Sequence, residues 1–224
     1  MNRKARNQKI KKDKSLILAL HSSSNVFGVA TRDCNKTSEN ISSATFKVGR
    51  KLSNVIFTCI QEVLPSKDWS RIIRIAVATG PGGFTSTRLA VITARTLSQQ
   101  LNCELDGESS FKLMVPRLNA RLFNQHSNQP FWIINELPRR GIVAGKYSII
   151  LNSNENCLNI NEIKIPKLYP KTVILKPAIE ADEDVEKDIL ELLNICFNNH
   201  LIRKASPWKN IVPIYPTSPV DSNP

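Results

Sequence analysis

The chain has 224 residues, 41% of them hydrophobic, which is enough for a buried core in one large domain or two small ones. No apolar run approaches the roughly 20 residues of a bilayer-spanning helix. The longest early run, Leu16 to Leu20, is short for a secretory core and no cleavage site follows it, so the expectation is a soluble, cytoplasmic protein without membrane association. Net charge is +12, from 31 Lys and Arg against 19 Asp and Glu, and half of it sits on residues 1–14.

That first stretch carries Arg3, Lys4, Arg6, Lys9, Lys11, Lys12 and Lys14 against Asp13 alone. It has almost no apolar side chains to bury, so it is expected to be a disordered arm. Two roles are open for it: non-specific attraction of RNA phosphates, or a solvated extension. The cysteines Cys34, Cys59, Cys103, Cys157 and Cys196 are odd in number and lack a C-x-x-C pair, so neither a disulfide framework nor a zinc site is expected.

After the arm, Leu16 to Leu20 suits a strand buried on both faces. Val26 to Thr31 reads as a second strand and Ser43 to Val48 as a third, which makes an antiparallel meander. A helix follows from Gly49 to Leu64, with Leu52, Val55, Ile56, Ile60, Val63 and Leu64 at spacings of three and four, and Pro65 stops it. Arg71 to Thr79 is another buried strand. Gly80 to Phe84 is a tight loop, and Thr85 to Leu101 a second helix with Leu89, Ile92, Leu97 and Leu101 on or near one face and Ala90, Ala94 and Ser98 in a small-residue row. A short strand at Cys103 to Gly107 and a helix at Ser109 to Leu122 complete the first half.

The order β-β-β-α-β-α-β-α differs from a doubly wound nucleotide fold, where strands and helices alternate from the start. It is similar to the ribonuclease-H-like half of the actin-like superfamily. The expected fold is therefore α/β with two subdomains, residues 15–115 and a reduced second one at 116–210. In the second half, Phe131 to Leu137 and Gly141 to Leu151 form a hairpin around Pro138 to Arg140. Leu158 to Ile165 alternates like an edge strand, Thr172 to Leu175 is a short strand, and Asp182 to Leu201 is an amphipathic helix with acids at its start. Residues 211–224, with four prolines, are expected to form an extended or disordered tail.

The loop Gly80-Pro81-Gly82-Gly83-Phe84-Thr85 leaves a buried strand and opens a helix. Such a turn presents backbone N–H groups that suit an anion, with Thr85 as helix cap and Arg88 in the first turn. The other reading is a tight connection. It is not a P-loop, because no Gly-Lys-Ser/Thr follows, and it lacks the dinucleotide spacing.

The segment GPGGFTSTR (Gly80 to Arg88), the following LAVITARTLSQQL helix and Glu108 to Ser110 resemble the TsaB (YeaZ) family. That family shows a GPGSFTGLR-type loop, a helix rich in small residues and a V-S-S-like turn. LALHSSS (Leu18 to Ser24) resembles its LALDTST-like first strand, and Val212 to Pro216 its closing element. The likeness covers about residues 15–115. It implies a non-catalytic partner and activator of TsaD in making threonylcarbamoyladenosine in tRNA beside the anticodon. It also implies a TsaE-like ATPase and tRNA as further members of the assembly, and a homodimer when the chain is alone. No cofactor or metal is implied. The interface implied lies on the first two helices, through Leu52, Ile56, Ala90, Ala94 and Ser98, with packing of that row on its own sheet as the other reading.

Departures from the family bear on chemistry. His21 stands where the family has Asp, and a neutral imidazole is a poor ligand for Mg²⁺. Ser86 and Thr87 replace a glycine-apolar pair, and Asn135 to Arg140 matches the family's Asp-Ala-Arg-type turn poorly. His21, His126 and His200 are scattered, so the metal-binding pair of TsaD has no counterpart here. A G-x-S-x-G elbow is absent as well. Two rivals to the partner role remain: an actin-like phosphotransferase or ATPase, and an RNA-binding adaptor working through the arm.

Overall fold

The computed structural model describes residues 14–22, 25–35, 40–150 and 159–216. The basic arm, except Lys14, and the end of the tail lie outside the described residues. β1 (Leu16–His21), β2 (Val26–Asp33) and β3 (Ile41–Lys47) form the meander. α1 (Leu52–Val63), β4 (Ile72–Ala78), α2 (Phe84–Leu101), β5 (Glu104–Glu108) and α3 (Ser110–Phe123) follow in the expected order. The five-stranded sheet has the order β3-β2-β1-β4-β5, antiparallel through β1 to β3 and parallel through β1, β4 and β5.

Strand alternation divides β1 between two cores. Leu16, Leu18 and Leu20 pack with residues of α1 and α2, while Ile17 and Ala19 face the opposite cluster. That second cluster is built by α4 (Val185–Leu201), through Ile189, Leu192, Leu193 and Cys196. Gly28 of β2 lies under it, where a Cβ would approach Val185 to 2.8 Å. Both faces of the sheet are therefore covered, which is why its central strands are continuous apolar runs.

One charge interrupts them. Arg74 in β4 is buried and forms a bidentate pair with Asp106 of β5, at 2.6 and 2.8 Å, and also donates to the carbonyl of Lys204. Each charge is matched at the desolvated site, and the pair ties the sheet to the segment after α4.

The second sheet has the order β8-β7-β6-β9, from β6 (Phe131–Leu137), β7 (Gly141–Ile150), β8 (Asn159–Tyr169) and β9 (Ala178–Glu180). α3 packs on it with Phe111, Met114, Val115 and Leu118 against Phe131, Ile133, Val143, Tyr147 and Ile149.

Four expectations need correction. The short strand at Thr172 to Leu175 is not formed; β9 lies six residues later, where it pairs in parallel with β6. β8 runs past Ile165 to Tyr169, because Ile165 and Pro166 oppose Gly145 alone in a bulge that needs no N–H from the proline. A boundary at 115/116 falls inside α3, whose Leu113 belongs to the first sheet's core and Val115 to the second's. α4, placed by its sequence position in the smaller unit, packs on β1, β2 and β4 instead. Among the described residues no helix is long and apolar enough to cross a membrane.

Candidate functional site

The glycine-rich loop lies at the ends of the parallel strands, held from several sides. Thr79 donates from its N–H and its hydroxyl to the carbonyl of Glu108, at 2.8 and 3.0 Å. The Thr79 carbonyl accepts from the N–H of Ile214, and that of Gly80 accepts from Ser110. Gly80 has φ +95°, a backbone region that strains any residue with a Cβ. The Thr87 hydroxyl donates to the carbonyl of Ser22 at 3.0 Å, which ties the start of α2 to the end of β1. Thr85 is not the cap: Gly83 occupies that position without a side-chain bond, and Thr85 is already helical and exposed. The loop is a tightly bonded connection, and the segment at Ile214 closes over it.

Beside the loop, His21 is fully buried and neither ring nitrogen has a hydrogen-bond partner. Burial pushes its pKa down to about 4, so the imidazole is neutral near pH 7. The hydroxyls of Ser22 and Ser110 are likewise buried without partners. Among the described residues no group of three His, Cys, Asp or Glu is placed to hold a metal ion.

The residues expected to meet a partner are not on the surface. Leu52 and Ile56 are at most 3% exposed, and Ala90, Ala94 and Ser98 are fully buried against the first sheet. The small-residue row lets α2 approach its own sheet closely, and the Ser98 hydroxyl donates to the carbonyl of Cys103. What faces outward is different: Phe57 of α1 and Ile92 of α2 are each 49% exposed, and Phe84 is 41% exposed. A groove of about 680 Å³ runs between the starts of α1 and α2, lined by Arg50, Ser53, Phe84, Thr85, Ser86 and Leu89 among others. A second, of about 580 Å³, lies between α2 and the C-terminal segment, lined by Phe84, Arg88, Ile92, Arg95, Val212 and Tyr215 among others.

Phe84 forms part of both grooves, its ring 4.7 Å from that of Tyr215. Thus the loop and the closing element Val212 to Pro216, more than 100 residues apart in the chain, meet in one surface. The helical periodicity passes over Phe57, and it puts Ile92 on one face of α2 with Leu89, Leu97 and Leu101, whereas Ile92 points outward while Val91 and Leu97 are buried. The signal for Phe57 was an apolar residue off the stripe, one position after the buried Ile56.

The family model described as "TsaD: tRNA N6-adenosine threonylcarbamoyltransferase" matches residues 46–161. Among solved structures, an uncharacterized protein with similarity to peptidase YeaZ from Pseudomonas aeruginosa aligns with a TM-score of 0.66 at 16% identity, over 91% of this chain and 100% of that one. YeaZ from Pseudomonas aeruginosa aligns with a TM-score of 0.64 at 17% identity, over 90% and 99%. These structures share the fold. No curated protein sequence matches the chain significantly.

Proposed function

Because the chain belongs to the TsaD family of tRNA N6-adenosine threonylcarbamoyltransferases, we propose that it is a non-catalytic partner and activator of a TsaD-type subunit in that modification. The observation that carries this reading is the outward surface of α1 and α2, where Phe84 and Ile92 line grooves and Phe57 of α1 is exposed as well. Large apolar side chains grouped near grooves are a costly exposure that a protein partner relieves. The neutral, buried His21 at the place of the family's Asp supports a role outside the chemical step. Alone, the same surface would support a homodimer.

Co-purification with a TsaD-type subunit at micromolar concentration tests the reading. Phe57→Glu combined with Ile92→Glu is expected to weaken that association by at least about tenfold, since each puts a charge where an apolar contact forms. Undiminished association in the double variant would remove the surface from the account. Magnesium-dependent nucleotide turnover by the isolated chain would favour the phosphotransferase rival.

A further inference from the structure

We propose that the face of the four-stranded sheet turned away from α3 binds the phosphate backbone of RNA through Lys146, Lys164 and Lys167. Strand alternation sends Phe131 and Ile133 of β6 toward α3, so Trp132 between them belongs to the opposite face. The register then aligns Trp132 with Lys146 of β7, and Lys146 with Lys164 of β8, in one row across three strands.

The side chains follow that row. The Lys146 and Lys164 ammonium groups each lie 5.6 Å from the centre of the Trp132 ring. Tyr169 meets Trp132 edge to face at 5.5 Å, and the Lys167 ammonium lies 5.1 Å from the Tyr169 ring. Three cations are thus gathered on two touching rings. Among the described residues no carboxylate pairs with any of the three. Attraction to the rings offsets part of their mutual repulsion, and an external anion would relieve the rest.

The chemistry of the patch selects its occupant. Lysine is a compact charge on a flexible stem, suited to phosphates that are not presented in one fixed geometry. Trp132 is only 7% exposed beneath the lysines, so it is not open to base stacking. Contact with the backbone, independent of sequence and sensitive to salt, is what such a surface provides. The choice of RNA among polyanions rests on the family's tRNA substrate. The patch itself is separate from the α1 and α2 surface.

The test is binding of an unmodified tRNA transcript to the full chain between 50 and 200 mM salt, with the basic arm kept in place. Lys146→Ala, Lys164→Ala and Lys167→Ala together are expected to weaken binding about tenfold or more and to lower the logarithmic salt slope by about two. Lys164→Glu with Lys167→Glu, both at exposed positions, gives at least as large a loss and leaves the half-buried Lys146 in place over Trp132. Unchanged affinity and slope in both variants would overturn the proposal. So would a loss of polyglutamate binding with tRNA binding intact, which would mark an acidic protein as the occupant. Association with the TsaD-type subunit, measured on the same variants, is expected to be unaffected, so the two readings fail separately.

Discussion

All six residues of β1 are buried, whereas in the eleven-residue β8 only Pro166 is. The contrast follows from what covers each sheet. α1 and α2 lie on one face of the first sheet and α4 on the other, so every position of β1 meets a neighbour. The second sheet has α3 on one face, and its edge strand turns lysines and isoleucines to water. Burial on both faces makes the first sheet the rigid platform from which α1 and α2 present their outward surface. The exposed strand β8 of the second sheet carries the charge instead, in Lys164 and Lys167. Both proposed interaction surfaces therefore lie outside the doubly covered core, on helix backs and on the lysine-bearing side of the second sheet.

If that division holds, substitutions in the first sheet carry the larger costs. Arg74→Ala leaves Asp106 as a buried, unpaired carboxylate and is expected to destabilise the chain by about 3–5 kcal/mol in denaturant unfolding. A cost under about 1 kcal/mol would show that the first core is not closed around the pair.

His21 gives the next effect, through pH. Its folded pKa is about 4 against an ordinary 6.5, so below pH 6.5 the unfolded chain takes up a proton that the folded chain refuses. Stability present above pH 6.5 is lost as pH falls toward 4, by about 3 kcal/mol for the full shift. In His21→Leu that acid-side loss should shrink by a similar amount when unfolding is followed from pH 7.5 to 4.5. Identical pH dependence in the two proteins would contradict the burial of the imidazole. The smallest effect belongs to the second sheet: Ile165→Thr at the exposed edge is expected to change stability by less than about 0.5 kcal/mol. A larger loss there would mean that something covers the edge.

The same difference in coverage decided what the sequence disclosed. Leu16 to Leu20 and Ile72 to Ala78 are long apolar runs closed by Gly and polar turns, so their strands and the order of the first half were legible. So was α4, whose acids at 182–184 mark its start; Asp184 is the cap, accepting from the N–H of Lys187. β9 was not legible, because three residues pairing in parallel with a distant strand leave no period. The apolar Val173 and Ile174 pointed there instead, and Ile174 is in fact exposed. Small residues at spacing four signal close approach without saying to what, and Ala90, Ala94 and Ser98 proved to face the sheet. The Lys146, Lys164 and Lys167 patch arises from three-strand register across a bulge, which local patterns do not fix. Arg74 could have been found as a lone charge inside an apolar run, with Asp106 in the following strand.

The central claim is that this chain acts on tRNA modification through a partner. It is tested most directly by threonylcarbamoyl transfer to tRNA with a TsaD-type subunit and the other components, with and without this chain. The account expects no transfer by this chain in place of the TsaD-type subunit and a clear rise in transfer when both are present, with Phe57→Glu/Ile92→Glu losing most of that rise. Transfer by this chain in the absence of the TsaD-type subunit, or an equal rate with and without it, would contradict the account.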